Sequence, residues 1–592
     1  MQNNSENGQE TGKMVSRNDE SSSENQDESR SEKTGTKLSA VEGIKEKSCW
    51  LRGSLREEMA SGADHFNDEN KNLLKFHGSY QQEDRDARKS RGKTGTSKHY
   101  MFMIRLKLPG GKLTADQYLR MEEVADKHAN GTLRLTTRQS IQFHGIVMGH
   151  LQQTMQDINR AMISTLGACG DVNRNVMSCP APIQDGIRPA MQQLADEIAQ
   201  HLAPRSNAYH DIWLDGKEYS KDALQSDGVE PIYGKVYLPR KFKIGFALPD
   251  DNCVDVFTQD LGFLAIVEHG KITGYDMIVG GGMGRSNGNA NTFARLGSSI
   301  AFLQPGQVVA GAEAVVKLFR DHGNRADRKR ARIKYVVHDW GIDKFRKVLA
   351  QDYLTHPLVL PKEPPITGVD LHLGWHSQKD GKSFLGISIE NGRIKNEGDL
   401  QVKTALHQII TKFKPDIRIT PQQDILLCDL DFAAKGEIES ILRQHGVALP
   451  ETLSMAQKWS MACPAIPTCG LAITESERSL PLIIDELEKL LHDLGLSEEV
   501  VSVRMTGCPN GCARPYQSEI GLVGRSGEKY SLYLGGSSLG TRMNSLFKDL
   551  VPRQELVPLL RSIFEQFKSQ RIKQESFGDF CHRVGFDKLT AV

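Results

Sequence analysis

Apolar side chains are almost missing from the first 37 residues of this 592-residue chain, where only Met1, Met14 and Val15 qualify. Ser, Asn, Gln and Glu dominate the stretch, which cannot bury enough surface to offset its ordering entropy. It does not read as a secretory leader, and its many acidic residues argue against a transit peptide. Residues 1–65 are therefore expected to form a disordered polar tail. No apolar run approaches the length of a membrane span. Net charge is nearly absent too: 75 Lys and Arg against 74 Asp and Glu leave +1, so no global pull toward nucleic acid or a membrane is implied. Ten cysteines are too few for a disulfide scaffold in a chain of this length. With no export signal, a reducing, cytoplasmic setting is expected. A dinucleotide fingerprint is also lacking, because "VGGGMGR" (Val279 to Arg285) does not fit G-x-G-x-x-G with a later acidic residue.

What is present begins near "NLLKFHGSYQQEDRD" (Asn72 to Asp86). "HYMFMIRLKLPGG" reads as a strand ending in a turn, "TADQYLRMEEVADKHA" as an amphipathic helix and "GTLRLTTRQSIQFHGIV" as a strand pair. This alternation predicts an α+β architecture. A repeat organises it. "LRLTTRQSI" (Leu133 to Ile141) matches "IRITPQQDI" (Ile417 to Ile425) at an offset of 284 residues, and at the same offset Cys179 of "SCPAP" falls on Cys463 of "ACPAIP". Two matches at one offset indicate a duplicated core, each half holding a small and a larger α+β unit. The expected units are 66–165 and 166–355, then 356–450 and 451–592. A site between duplicated halves is expected, where clefts form.

The second copy carries "ACPAIPTCG" and then "RMTGCPNGCARP", with Cys463, Cys469, Cys508 and Cys512 on two turns rich in Pro and Gly. The five-residue gap between Cys463 and Cys469 is wide for a zinc knuckle. Four thiolates from two turns suit the corners of a [4Fe–4S] cluster. Gly507, Pro509, Gly511 and Pro464 let the backbone approach and turn sharply. Its N–H groups can then bond cluster sulfurs.

These two motifs, with "ESER" between them, resemble the signature of the siroheme-dependent sulfite and nitrite reductases, over roughly Asn72 to Phe586. The resemblance implies an internally duplicated, pseudo-twofold sulfite/nitrite reductase fold, with ferredoxin-like half-domains and larger α/β hemoprotein domains. It implies that the four cysteines hold a [4Fe–4S] cluster and that Cys512 also bridges to siroheme iron. It places Arg105, Arg174, Lys241 and Lys243 in the substrate pocket. Siroheme contacts are expected from Arg134, Arg138, Gln142 and His144, whose even spacing suggests one face of a strand, and from Arg285 and Asn510. Cations suit such a pocket, since they hold an oxyanion, deliver protons and pair with the carboxylate-rich rim of siroheme. For the basic run "GNRADRKRARIK" (Gly323 to Lys334), a solvated helix face and a cofactor or donor contact stand equal.

The paired lysines resemble those of the sulfite enzymes. The expected reaction is therefore assimilatory six-electron reduction of sulfite to sulfide, with nitrite to ammonia as runner-up and a non-catalytic Fe–S electron carrier or sensor as a third reading. Electrons are expected from a partner protein, either ferredoxin or an NADPH-dependent flavoprotein subunit.

Overall fold

The computed structural model describes residues 37–90, 98–205, 213–214, 217–218 and 230–589. Two five-stranded sheets share one strand order. The first runs Ser79–Glu83, Tyr100–Arg105, Ile141–Ile146, Leu133–Leu135, and then borrows Arg393–Ile394 from the other half. The second runs Gly374–Ser377, Ser383–Ile387, Ile425–Leu430, Asp416–Ile419, and borrows Lys112–Leu113 in return. The registers match as well, Arg134 opposite Arg393 and Arg418 opposite Lys112. The repeat read from the sequence is thus a reciprocal exchange of edge strands. Leu133, Ile141 and Phe143 share one core with Leu385, Ile417 and Ile425. Each such side chain contributes about 1.5–3 kcal/mol by burial, which binds the two halves together.

Local sequence explains the elements. Helix Ala115–His128 opens on a capping box between Thr114 and Gln117, and it buries Tyr118, Met121, Val124 and Ala125. The stretch 133–146 is a hairpin: Arg134 pairs with Gln142, and Arg138 lies in the connecting turn, where Gln139 has φ +50°. This corrects the expectation that Arg134, Arg138, Gln142 and His144 share one strand face.

The larger units repeat in the same way. Ile244–Ala247 lies parallel to Leu261–Glu268, which continues antiparallel into Lys271–Val279 and Ser298–Leu303. Val503–Thr506, Ile520–Ser526, Lys529–Leu534 and Ser545–Pro552 repeat this order. Bridges from Asn173 and Met177 run parallel beside Phe242 and Gly245, as Ser460–Ala462 runs beside Val503–Thr506.

The expected tail needs correction. Residues 1–36 lie outside the described residues, but 40–47 and 55–60 are helical. Leu51 is fully buried in the core of the first large unit. Lys45 is buried, 2.7 Å from Glu42 and 2.9 Å from the Leu238 carbonyl. A polar sequence is ordered here because its charges find buried partners. Among the described residues, no helix is long and apolar enough to cross a membrane.

Candidate active site

Ser460–Ala462 and Val503–Thr506 are parallel neighbours, so their carboxyl ends deliver Cys463 and Cys508 side by side. The two cysteine turns are then knitted together. Ile473 N–H donates to the Gly507 carbonyl at 2.7 Å, and Gly507 N–H points at Cys463 Sγ at 3.4 Å. A Cβ at Gly507 would lie 2.6 Å from both Ala465 Cβ and the Thr474 carbonyl, so the close approach demands glycine. Backbone N–H groups of Leu471 and Ala472 face Cys469, and the Asn510 amide donates to Cys508 Sγ at 3.4 Å. Burial, then the charge of Cys512, pushes Cys508 up to about 12; the same two causes raise Cys463 and Cys469. Three thiols gathered in this way stay protonated unless a cation takes them as ligands. Cys512 alone of the four is exposed.

Cys512 opens on a cavity whose wall includes Arg138, Lys241, Lys243, Arg332, Asn510 and Arg514. Lys241 and Lys243 sit in extended chain just before Ile244–Ala247, two positions apart, and reach the cavity together. Among the described residues neither has an ion-pair partner. Burial, with Arg332 and Arg240 nearby, brings Lys241 down to about 7, and burial beside Lys241 pushes Lys243 well below the usual lysine range. Arg138 donates to Gln259 Oε1 at 2.7 Å and to the Ile244 carbonyl at 2.8 Å, while its buried Nε has no partner. This excess of uncompensated cation fits a carboxylate-rich group, and the four-sulfur donor set fits an Fe–S cluster.

The other expected residues fall in three places. Arg105 and Arg174 meet around Tyr80 and Cys169: Arg105 lies 3.0 Å from Cys169 Sγ, and Arg174 borders a second, small pocket with Tyr80, Arg240 and Arg328. Gln142 faces Arg105, and with its amide turned so that the oxygen points at the guanidinium it accepts from Arg105 Nε at 2.8 Å. The charge of Arg174 reaches both Arg138 and Lys241, which it helps depress. Arg134 and His144 do not line the cavity. Arg134 bonds Glu477 at 2.9 Å and the Ala462 carbonyl at 2.8 Å, and Arg393 bridges Glu477 to His144 Nδ1 at 3.2 Å. Arg134 thereby ties the hairpin to the strand that leads to Cys463. Arg285 hydrogen-bonds the Pro509 carbonyl through its backbone at 2.9 Å and Tyr533 through its side chain at 3.2 Å, outside the cavity wall.

The basic run turns inward at its end, while Lys329 is exposed and Arg330 pairs with Asp339 at the surface. Arg332 makes a two-pronged pair with Asp260 at 2.9 and 2.7 Å and lines the cavity. Buried Lys334 donates to the Gly282 and Gly284 carbonyls at 3.0 and 2.7 Å, holding the glycine loop. Gly281 in that loop has no room for a Cβ, which would meet the Phe257 carbonyl at 2.2 Å. Sequence reading also passed over Thr137, whose hydroxyl donates to the Cys512 carbonyl at 3.1 Å, and Arg514, which bonds the Thr137 carbonyl at 3.1 Å. Arg514 was visible in "GCARP"; Thr137 carried no signal of its own.

The profile of the nitrite and sulphite reductase 4Fe-4S domain matches residues 195–358, within the copy that lacks the four cysteines. That of the nitrite/sulfite reductase ferredoxin-like half domain matches residues 95–161 and 376–445. The sulfite reductase [ferredoxin] of Synechococcus elongatus is 43% identical over 571 residues, 93% of this chain and 90% of that protein. The sulfite reductase [NADPH] hemoprotein beta-component of Staphylococcus haemolyticus is 43% identical over 558 residues, 94% of this chain and 96% of that one. The solved Mycobacterium tuberculosis NirA protein has the same fold, with TM-score 0.76 at 24% identity over 93% of this chain and 98% of its own. The chain belongs to the nitrite and sulfite reductase family.

Proposed function

We propose that this protein is the hemoprotein of a sulfite reductase, reducing sulfite to sulfide by six electrons. The carrying observation is the meeting of Cys512, the one exposed cysteine of its cluster, with a cavity walled by Lys241, Lys243 and Arg138. Cys463, Cys469, Cys508 and Cys512 would hold a [4Fe–4S] cluster, and Cys512, Arg138 and Asn510 would hold siroheme, which supplies electrons to the substrate when bound. The lysine pair binds and orients the oxyanion. Three oxygens leave as water, so protons must arrive repeatedly, and a lysine brought down to about 7 gives up and regains a proton readily near neutral pH. Arg105 and Arg174, tied to Gln142 and the Gly170 carbonyl, keep their charge fixed at the edge of the site.

The electron donor is a separate protein, because the sequence has no dinucleotide fingerprint. The names of the relatives support ferredoxin or an NADPH-dependent flavoprotein subunit in that role. The test is the absorption spectrum of the purified protein, followed by sulfide release from sulfite with a chemical reductant. Heme-type Soret and long-wavelength bands with sulfide production are expected. An Fe–S shoulder alone, with no sulfide formed, would leave only an electron carrier.

A further inference from the structure

The first half has its own buried constellation where the second half has its cluster. Aligning Ile244–Ala247 with Val503–Thr506 places Cys253 at the position of Cys512, and the sequence repeat places Cys179 at that of Cys463. Cys179 and Cys253 are joined by Asp251 and His372, with one ligand atom from each residue within 4.8 Å of every other. Cys179 Sγ lies 2.9 Å from Asp251 Oδ2 and 3.5 Å from His372 Nε2. Asp251 Oδ2 lies 3.1 Å from His372 Nε2 and 3.5 Å from Cys253 Sγ. The edges of a tetrahedral zinc site with S, N and O ligands measure roughly 3.3–3.8 Å, so these donors need to part by only a few tenths of an ångström.

The surroundings are those of a held metal site. Asp251 Oδ1 accepts from the Cys253 and Asp370 N–H groups at 3.1 and 3.2 Å, which leaves Oδ2 free to face the other three ligands. His372 Nδ1 is 3.4 Å from Asp370 Oδ2. That carboxylate fixes the tautomer and aims Nε2 inward, the arrangement that orients metal-bound histidines. Two thiolates and one carboxylate around a divalent ion leave one negative charge, and Arg188, itself paired with Asp185, faces Cys179. All four ligands are 2% exposed or less. That excludes a Cys–His–Asp nucleophile, because no substrate reaches the sulfur.

We propose that Cys179, Asp251, Cys253 and His372 form a structural zinc site. It staples the two loops of the first large unit to the segment that leads into Gly374–Ser377, the edge strand of the second small sheet. Duplication thus leaves a four-ligand pocket in each half, one set for a cluster and the other for a single ion. Cys₂HisAsp sets of this kind close the coordination sphere and add to folding stability.

The test is elemental analysis of the holoenzyme purified without chelator. About one zinc per chain is expected, beside the iron of the redox centres, and zinc below about a tenth per chain overturns the proposal. Cys253→Ser should lose most of the zinc and keep the iron content and visible spectrum; a variant that keeps its zinc also overturns it. Should that variant not fold, X-ray absorption at the zinc edge of the wild-type protein decides. Two sulfurs with two nitrogen or oxygen ligands support the site. A four-sulfur shell, meaning zinc in the cluster cysteines, or a shell without sulfur, sinks it.

Discussion

Asp255 and Arg514 stand at matching positions of the two halves, 259 residues apart, and their side chains pair across the duplicated core. Arg504 joins the same carboxylate at 2.8 Å. All three groups are buried. Arg514 also donates to the Thr137 and Pro421 carbonyls at 3.1 Å each. One carboxylate therefore fixes the loop carrying Cys512 against the hairpin turn carrying Arg138.

Asp255→Ala leaves two buried guanidiniums without a counter-charge. Breaking a buried pair by deleting one partner costs about 3–5 kcal/mol. The expected result is a lower urea midpoint together with less bound iron. A variant with wild-type midpoint and iron content would show that the pair is dispensable.

Cys512→Ser tests the shared ligand. Serine is a harder, more basic donor than thiolate. Cys512 is the exposed member of its set, so this change should perturb the visible spectrum and abolish sulfide formation, while Cys463, Cys469 and Cys508 remain to hold some iron. Unaltered spectra and activity would remove Cys512 from both centres.

What the sequence made legible, and what it hid, follows from distance along the chain. The cysteines sit within short motifs, so their spacing drew attention to them, whereas the lysine pair was singled out by the resemblance to the reductase family. The exchange of edge strands was not legible, because Arg393–Ile394 and Lys112–Leu113 are two-residue strands with no periodicity to read. Arg134 and His144 were expected at the cofactor from the resemblance to the reductases, and the ion-pair network they join here was not foreseen. Their partner Glu477 lies 343 residues from Arg134, too far to suspect. The zinc ligands are hidden in the same way, with 193 residues between Cys179 and His372.

The N-terminal segment divides at about residue 37. Removing residues 1–36 should leave solubility and cofactor content unchanged, since three apolar side chains offer almost nothing to pack. Extending the deletion to residue 65 removes Leu51 from the core and Glu42 from Arg325, and takes Lys45 from beside Asp171. Loss of a buried leucine alone costs about 2–5 kcal/mol. The longer deletion should lower the urea midpoint and the soluble yield. Equal behaviour of the two truncations would return the whole segment to the tail.

Asp424 makes a contribution to stability that falls as pH rises toward neutrality. Burial brings Asp424 up to about 7 although the Ile389 N–H donates to it at 2.9 Å. Between the ordinary aspartate range and 7, the folded state holds a proton that the unfolded chain has lost. Unfolding then releases that proton, and stability declines by up to about 1.4 kcal/mol per pH unit before levelling above 7. Asp424→Asn keeps the acceptor for Ile389 and removes this contribution. Across about pH 5 to 7, urea midpoints should fall less, or rise more, with pH in the variant than in the wild type. An unchanged slope would assign the titration elsewhere, Glu519 being the other buried acid held near 7.

Substrate choice is the sharpest test of the lysine pair. Lys243 has no ion-pair partner among the described residues, and burial beside Lys241 works against its charge, so binding of an anion in the cavity would favour its protonated form. Lys243→Asn removes that charge and keeps a hydrogen-bond donor. Sulfite, partly dianionic near neutral pH, has more Coulomb energy to lose than nitrite with one charge. A lost charge contact of about 1.5–3 kcal/mol is a ten- to hundredfold change in rate. The expected outcome is a drop of that size in kcat/KM for sulfite, with a smaller drop or a gain for nitrite, measured with a chemical reductant so that the natural donor does not enter. Equal losses for both anions would mean that Lys243 serves a shared proton transfer or cofactor binding, and the preference for sulfite would then have to come from Arg105, Arg174 or Lys241.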